Sequence, residues 1–277
     1  MIVKDQMHKI IEVNEPLKRI VSIVPSQSEL LWDLGLEKEL VGITKFCIHP
    51  HHMATSVTLV GGTKKLNLDK IRKLQPDIII ANKEENEQSQ IEELAKEFPV
   101  WISDIHNLDE SLQMIEMLGE LFNKKEKSLE LVAIIKSTFQ QLNSSLIKPD
   151  NNSTTQQFNN STTKKVAYFI WNDPLMVAGK NTFIDDMLKR CNFENVFINK
   201  DSRYPEIFIE ELQNANPELI LLSSEPFPFK EKHVKEFQKH LPNTKIIIVD
   251  GELFSWYGSR LQHSANYFIE LQKSLQA

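Results

Sequence analysis

The sequence has few cysteines and few glycines, and its net charge is not positive. Its 277 residues include 2 cysteines and 8 glycines, with a formal net charge of −6. Two cysteines cannot form the disulfide framework of a small secreted domain, so we expect Cys47 and Cys191 to be free thiols. The negative charge argues against nucleic-acid binding. The chain also has no GxGxxG motif and no phosphate-binding glycine loop.

Long apolar runs and catalytic motifs are also missing. No run approaches the roughly 20 apolar residues that a membrane helix needs, so we expect a protein that is not membrane-embedded. Residues 1–9 have no apolar signal-peptide core, which leaves a cytoplasmic location open. The sequence has no GxSxG elbow, and no nucleophile, base and orienting residue can be grouped, so we expect a protein without enzymatic activity.

One motif occurs twice. Asp69 and Glu210 lie 141 residues apart (210 − 69), and so do Pro76 and Pro217 (217 − 76). In each copy, which we call the acid–proline motif, six residues separate the acid from the proline, and a second acid and an apolar run follow. A copy at half the chain length is typical of a duplicated module, so we expect two similar lobes.

The alternation of strands and helices in both halves predicts an α/β fold with two Rossmann-like lobes and parallel sheets. The N-terminal lobe is predicted over 1–107 and the C-terminal lobe over 165–277. The first lobe has predicted strands at 19–24, 40–44, 77–81 and 100–103. After its first strand, Ser26 or Ser28 is expected to cap a helix beginning at Glu29.

The region between the lobes has two parts. Over 108–147, apolar residues recur at spacings of three and four, which predicts one long backbone helix with an irregularity near 119–125. Residues 148–164 contain the unit Asn-Asn-Ser-Thr-Thr twice and almost no apolar side chains. We predict a low-complexity surface insertion there.

Candidate ligand-binding residues follow the predicted strands, because ligands of open parallel sheets bind beside the carboxyl ends of the strands. With two lobes, this places the ligand in a cleft between them. The aromatic members suit a large, flat, partly apolar ligand, although core packing is the alternative for Trp171 and Trp256. The candidates are Pro25, Ser26, Phe46, His49 and Asn82 in the first lobe, and Trp171, Phe254, Trp256, Tyr257 and Arg260 in the second.

The segment 47–52 contains one cysteine and three histidines, which are good ligands for zinc and similar metals. Its spacing matches no established zinc pattern. A solvated loop is one interpretation. The other is a single axial bond from His49 to a metal that the ligand already holds in a macrocycle.

Several segments together resemble a known family. These segments are 19–31 (RIVSIVPSQSELL), 41–44 (VGIT), 49–50 (HP), 60–62 (VGG), 67–71 (NLDKI), 75–81 (QPDIIIA), 209–212 (IEEL) and 216–218 (NPE). With them the protein looks most like the vitamin B12-binding branch of the helical-backbone (class III) periplasmic substrate-binding proteins of ABC importers, and the similarity covers nearly the whole chain apart from 151–163.

The resemblance implies a monomeric binding protein for a corrinoid-like or other metal-chelate ligand, with no cofactor of its own, since the ligand carries its cobalt or iron. It implies a periplasmic or cell-surface location, and an ABC transporter permease dimer whose arginines meet Asp69 and Glu210. Three positions depart from the family. Asp69 stands where glutamate is usual, and Thr63 and Asn82 stand where aromatic residues are usual.

Other functions stay open at this point. A haem- or iron–siderophore-binding protein would share the same fold. An intracellular two-lobed protein that acts as a chelatase or handles a cofactor fits the missing export signal. A sugar-nucleotide transferase is more distant, because it would need a glycine-rich phosphate loop.

Overall fold

The structure, a computed structural model, describes residues 1–146 and 163–276. Most of the predicted insertion over 148–164 therefore lies outside the described residues. The chain divides into two compact units. Unit 1 consists of Met1–Ile105, Asp109–Ile134 and Tyr257–Arg260, and unit 2 consists of His106–Leu108, Ile135–Trp256 and Leu261–Ala277.

Unit 1 is built on a parallel sheet. The strands described in it are β1 (Ile2–Lys4), β2 (Ile10–Glu12), β3 (Ile20–Ser22), β4 (Leu40–Ile43), β5 (Thr58–Leu59), β6 (Ile78–Asn82) and β7 (Val100–Ser103). The last five form a sheet in the order β5-β4-β3-β6-β7, and every pairing in it is parallel. β1 and β2 form a separate antiparallel pair. All four predicted strands are confirmed. The additional strands have two or three residues, too few for a period-2 pattern.

Helices cover the sheet of unit 1. They are α1 (Pro25–Asp33), α2 (Met53–Ser56), α3 (Leu68–Leu74), α4 (Gln88–Leu94) and most of α5 (Leu108–Leu121). Buried residues of β3 and β6, such as Val21 and Ile79, form one apolar cluster with Ile71 of α3 and Ile91 of α4. This core holds the strands so that their carboxyl ends lie at one edge.

The start of α1 differs from the prediction. The helix begins at Pro25 and not at Glu29, and its N-cap is Val24, with no side-chain capping hydrogen bond. Ser26 and Ser28 lie in the first turn, so neither is the cap. Proline favours the first helical position because its missing N–H would have no helical partner there.

The region between the predicted lobes is helical, in two segments. α5 ends at Leu121, and α6 (Lys125–Leu146) follows after a break in which Asn123 has a φ of 56°. A Cβ on Gly119 would overlap Ser128 Oγ, so glycine is needed where the start of α6 meets the end of α5. The irregularity predicted near 119–125 is this break.

Unit 2 has a second sheet. Its strands are β8 (Lys164–Asn172), β9 (Leu175–Val177), β10 (Phe193–Asn195), β11 (Leu219–Ser223) and β12 (Lys245–Val249). The order β10-β8-β11-β12 is parallel, and β9 pairs antiparallel with β8. The helices are α7 (Phe183–Arg190), α8 (Ile209–Ala215), α9 (Glu231–His240), α10 (Glu252–Ser255) and α11 (Leu261–Gln276). Phe169, Leu212 and Phe237 belong to its apolar core.

The acid–proline motif has the same conformation in both units. It comprises α3 followed by β6 in unit 1, and α8 followed by β11 in unit 2. The residue before each proline, Gln75 or Asn216, ends its helix in the left-handed conformation with a φ of 44°. This helix ending satisfies free carbonyl groups, and the proline after it prevents the helix from continuing.

The second acid of each motif ties two strands together. The Asp77 carboxylate accepts hydrogen bonds from the backbone N–H groups of Lys18 and Arg19, at 2.7 and 2.8 Å. The Glu218 carboxylate accepts one from the N–H of Lys165 at 2.9 Å. Each bond fixes the start of the strand after the proline against its parallel neighbour, β3 or β8. The repeat therefore extends to hydrogen bonding, and the predicted fold class is confirmed.

Candidate functional site

The carboxyl ends of the unit 1 strands carry the candidates predicted for the first lobe. Pro25 and Ser26 begin α1 directly after β3, and Ser26 is buried whereas Pro25 is half-buried. Phe46 and His49 follow β4, and Phe46 has 49% of its surface exposed. The structure therefore places these four residues at one edge of one sheet, as predicted from the strand order.

The Phe46 ring packs against a turn, although about half of its surface is exposed. A Cβ on Gly62 would lie 3.1 Å from Phe46 Cε2, so the glycine allows the ring to lie close against the 61–62 turn. The Lys45 ammonium lies 5.0 Å from the ring centroid. An exposed ring that packs against a turn is suited to contacting a flat apolar ligand.

Asn82 is at the predicted place but its amide is used within unit 1. Its Nδ2 donates to Ser103 Oγ at 2.9 Å, and its Oδ1 accepts from the N–H groups of Glu84 and Glu85 at 2.8 and 3.0 Å. The side chain is buried. Asn82 shapes the loop after β6, and a direct ligand contact from it stays a prediction.

Asn86 is a residue of this edge that the sequence reasoning missed. Its Oδ1 accepts from the Asn82 N–H at 2.9 Å, and its Nδ2 donates to the carbonyls of Ile23 and Thr63 at 3.0 and 3.2 Å. One buried amide thus joins the loops that follow β3, β5 and β6. In the sequence, the only indication that Asn86 belongs to this edge is its position four residues after Asn82.

Arg260 belongs to unit 1 and is paired there. The predicted lobe boundary 165–277 placed Tyr257 and Arg260 in the C-terminal lobe, but the segment Tyr257–Arg260 belongs to unit 1. Arg260 donates from Nε and Nη2 to the Glu29 carboxylate of α1, at 2.9 and 2.5 Å. Both side chains are mostly buried. Burial raises the pKa of the Glu29 carboxyl above its ordinary value, although the Arg260 hydrogen bonds act to lower it.

Trp171 is the exposed aromatic candidate of unit 2. It lies near the carboxyl end of β8 with 39% of its surface exposed, and its Nε1 donates to the Asp173 carbonyl at 3.0 Å. Its ring meets the Phe227 ring edge-on at 5.7 Å between centroids. The sequence reasoning missed Phe227, although the pair Phe227 and Phe229 directly after the β11 loop was a visible signal.

Phe254 is part of the core of unit 2. The side chain is fully buried, with its ring centroid 5.2 Å from that of Tyr168 and 4.7 Å from that of Phe268. We therefore remove Phe254 from the candidate ligand surface. Its place after β12 suggested a loop residue, but the short helix α10 turns the ring inward.

Trp256 is mostly buried and is fixed by a carboxylate. Its Nε1 and the Ser255 hydroxyl both donate to Glu225 Oε1, at 3.0 and 2.5 Å. Burial raises the pKa of the Glu225 carboxyl, and these two hydrogen bonds act in the opposite direction. Glu225 was not among the candidate ligand-binding residues. It holds the 255–256 segment against the loop that follows β11.

Asp69 and Glu210 occupy the same position in their two helices. Each is the second residue of its helix, α3 or α8, and each is exposed. The Asp69 side chain is 85% exposed, and its carboxylate lies 3.3 Å from the Arg72 guanidinium. Carboxylates are favourable at a helix start because of the helix dipole. A docking role for the two acids stays a prediction.

The structure offers no strong catalytic or metal centre among the residues it describes. Within 1–146 and 163–276, no group of three or more His, Cys, Asp or Glu side chains is arranged to hold a metal ion. Cys47 and Cys191 are free and buried, which confirms the prediction of free thiols, and burial raises the pKa of both. A thiol with a raised pKa is a poor nucleophile at neutral pH. Axial ligation by His49 stays a prediction.

Comparison with known proteins decides the family. A model of a family described as periplasmic binding protein matches residues 20–246, which is 227 residues (246 − 20 + 1) of the 277. This chain belongs to the periplasmic binding protein family. Its function is therefore substrate binding for an ABC-type importer, in a family of transport proteins that are periplasmic and are not enzymes.

A curated relative and two solved structures are similar to this chain. The vitamin B12-binding protein of Vibrio parahaemolyticus is 27% identical over 215 residues, which cover 76% of this chain and 72% of the relative. The periplasmic vitamin B12-binding protein of Vibrio cholerae has a TM-score of 0.76 at 20% identity, covering 94% of this chain and 98% of that one. The periplasmic heme-binding protein of Roseiflexus has a TM-score of 0.75 at 18% identity, covering 92% and 98%. At these identities the two structures show the shared fold.

Family membership agrees with the remaining features of the described chain. None of its helices is both long enough and apolar enough to cross a bilayer. A small-molecule ligand and an ABC transporter are the partners that the family implies.

Proposed function

We propose that this protein binds a corrinoid-like metal chelate and delivers it to an ABC permease without changing it chemically. The observation that carries the ligand class is a supported, solvent-exposed aromatic ring at the carboxyl end of a strand in each unit, Phe46 in unit 1 and Trp171 in unit 2. Relatives named vitamin B12-binding proteins support the corrinoid class. The ligand brings its own cobalt or iron.

The side chains at the carboxyl ends of the strands in the two units explain how such a ligand is bound. Large rings contribute apolar contact area at a small cost in side-chain entropy, and a few polar groups set the orientation of the ligand. In unit 1 these polar groups are Ser26 at the start of α1 and His49 after β4. In unit 2, the apolar contact comes from Trp171, whose ring packs against that of Phe227.

A spectroscopic titration tests the proposal. Cobalamin, cobinamide, haem and a ferric siderophore are each titrated into the protein, and absorbance or tryptophan fluorescence is followed. We expect one of the two corrinoids, cobalamin or cobinamide, to bind with a stoichiometry of one molecule per protein. Phe46→Ala and Trp171→Ala should each cost about 1–2 kcal/mol of binding free energy, or roughly tenfold in Kd.

Leu129→Ala is the matched control, because Leu129 is an exposed apolar side chain within α6 and does not follow a strand. Its removal should leave Kd unchanged. Binding of none of the four chelates would remove the proposal. Preferential binding of haem would favour the alternative that the protein binds haem. The similarity of fold to a heme-binding protein is the reason for including haem in the titration.

Asp69 and Glu210 carry the proposed docking to the permease dimer. Two exposed carboxylates at equivalent helix positions suit a two-fold symmetric partner with arginines, which bind carboxylates through paired hydrogen bonds. The side chain of Asp69 is shorter than that of Glu210, so the two contacts differ in reach. We propose that the protein acts as a monomer in the periplasm or at the cell surface.

Charge reversal tests the docking. In the variant with Asp69→Lys and Glu210→Lys, we expect ligand-dependent uptake to be lost while Kd for the ligand stays the same. The control reverses two exposed acids of α6, Glu126 and Glu130, and should leave uptake intact. Unchanged uptake in the Asp69 and Glu210 variant would refute the docking role.

A further inference from the structure

Two histidines after β4 lie close enough to act together. The ring centroids of His49 and His51 are 5.8 Å apart, and the ring planes are tilted by 47°. His51 is exposed and His49 is partly exposed, so water and small solutes can reach both. The pair is in the same loop as Phe46, one of the proposed ligand contacts.

The separation of the rings is within chelating range. Zinc-type ions bind imidazole nitrogen at about 2.0–2.1 Å, and the ring centre lies about 1.1 Å beyond the nitrogen, which puts each centroid about 3.2 Å from the ion. Two centroids 5.8 Å apart then subtend about 130° at the ion. Tetrahedral coordination needs a centroid separation of about 5.2 Å, which is about 0.6 Å less than the separation observed.

The third histidine of the segment lies apart from the pair. His52 is directed elsewhere, with its ring meeting the Trp32 ring edge-on at 5.1 Å between centroids. The loop therefore presents two imidazoles together and one apart.

We propose that His49 and His51 form a two-imidazole site for a divalent transition-metal ion. Imidazole nitrogen suits zinc, copper, nickel and cobalt-type ions. Two protein bonds leave the other coordination positions to water or to donor atoms of a bound organic chelator. For its biological role the inference rests on the proposed function. It narrows the ligand class to metal centres with exchangeable coordination positions, because a saturated chelate leaves no position for imidazole.

Titration with Co²⁺ and Zn²⁺ in the absence of any organic chelator tests the site, using protein purified without a histidine tag. Calorimetry gives the affinity and stoichiometry, and the visible absorption of Co²⁺ reports nitrogen coordination. We expect one high-affinity equivalent. His49→Asn and His51→Asn should each weaken it about 100-fold, since the second bond of a chelate forms at a high effective concentration.

His52→Asn is the matched control, and we expect it to bind the ion with wild-type affinity. Because His51 is exposed, His51→Asn keeps the test interpretable if the His49 variant folds poorly, and thermal unfolding of each variant checks this. Wild-type affinity in His51→Asn, an equal loss in His52→Asn, or no binding by the wild type would each overturn the inference. If corrinoids bind the wild type while Co²⁺ does not, the inference fails and the proposed function stands.

Discussion

The ion pair between Arg260 and Glu29 gives a sharp prediction about unit 1. It joins the segment Tyr257–Arg260 to α1, at a sequence separation of 231 residues. Replacing Arg260 by methionine keeps an unbranched apolar side chain but removes the guanidinium. The Glu29 carboxylate then loses both of its hydrogen bonds from Arg260 while staying mostly buried.

The cost follows from burial. Breaking a fully buried pair by removing one partner costs about 3–5 kcal/mol, because an uncompensated charge is left behind. The two side chains here are 14% and 12% exposed, so water can partly solvate the remaining carboxylate. Glu29 can also take up a proton, since burial already raises its pKa. We therefore expect about 2–3 kcal/mol, which is below the range for a fully buried pair.

Urea unfolding at pH 7, followed by tryptophan fluorescence, measures this cost. Lys125→Met is the control, because Lys125 pairs with Glu120 at 3.1 Å while both side chains are about two-thirds exposed. That variant should lose less than about 0.5 kcal/mol. In the double variant Glu29→Gln and Arg260→Met, part of the loss should be recovered. A loss below about 0.5 kcal/mol for Arg260→Met would refute the reasoning.

Three further predictions concern other parts of the molecule. Cys47 and Cys191 should resist a thiol reagent in the native protein and both should react after unfolding, since burial raises the pKa of each thiol; the absorbance of released thionitrobenzoate counts them. Asn67→Ala should lower the free energy of unfolding by about 1 kcal/mol in urea titrations, because Asn67 Oδ1 caps α3 by accepting from the Lys70 N–H at 2.9 Å. Burial raises the pKa of Glu225 above its ordinary 4.5, so native protein binds this proton more tightly than the unfolded chain does. The contribution of Glu225 to the free energy of unfolding therefore falls as pH rises from 4.5 through the raised pKa. In Glu225→Gln, this part of the pH dependence of the free energy of unfolding should be absent.

The repeated motif made most of the fold predictable from the sequence. Three local features of the motif predict a helix followed by a strand. They are an acid at the start of the helix, a proline directly after its end, and an apolar run after the proline. Asp77 and Glu218 also belong to the motif, and each accepts a hydrogen bond from the backbone at the start of the neighbouring strand. Those hydrogen bonds were not predicted from the sequence. Local chemistry of this kind is conveyed by neighbouring residues, so it can be inferred from one chain.

The candidate site was less predictable because long-range packing decides which side chains face outward. Phe254 and Trp171 both follow strands, yet Phe254 packs between Tyr168 and Phe268 while Trp171 stays exposed. Arg260 was predicted as a ligand contact of the second lobe, but its partner Glu29 lies 231 residues away, in unit 1. No local pattern in the sequence indicates either result.

The measurement that most directly tests the central claim is a cobinamide titration of four proteins: the wild type, Phe46→Ala, Trp171→Ala and the double variant. If both units contribute to binding a flat metal chelate, the wild type binds one equivalent and each single variant weakens binding about tenfold. The double variant should then lose about 100-fold, which is the sum of two independent losses of binding free energy. Absence of binding by the wild type, or a loss confined to one of the two single variants, would contradict the account.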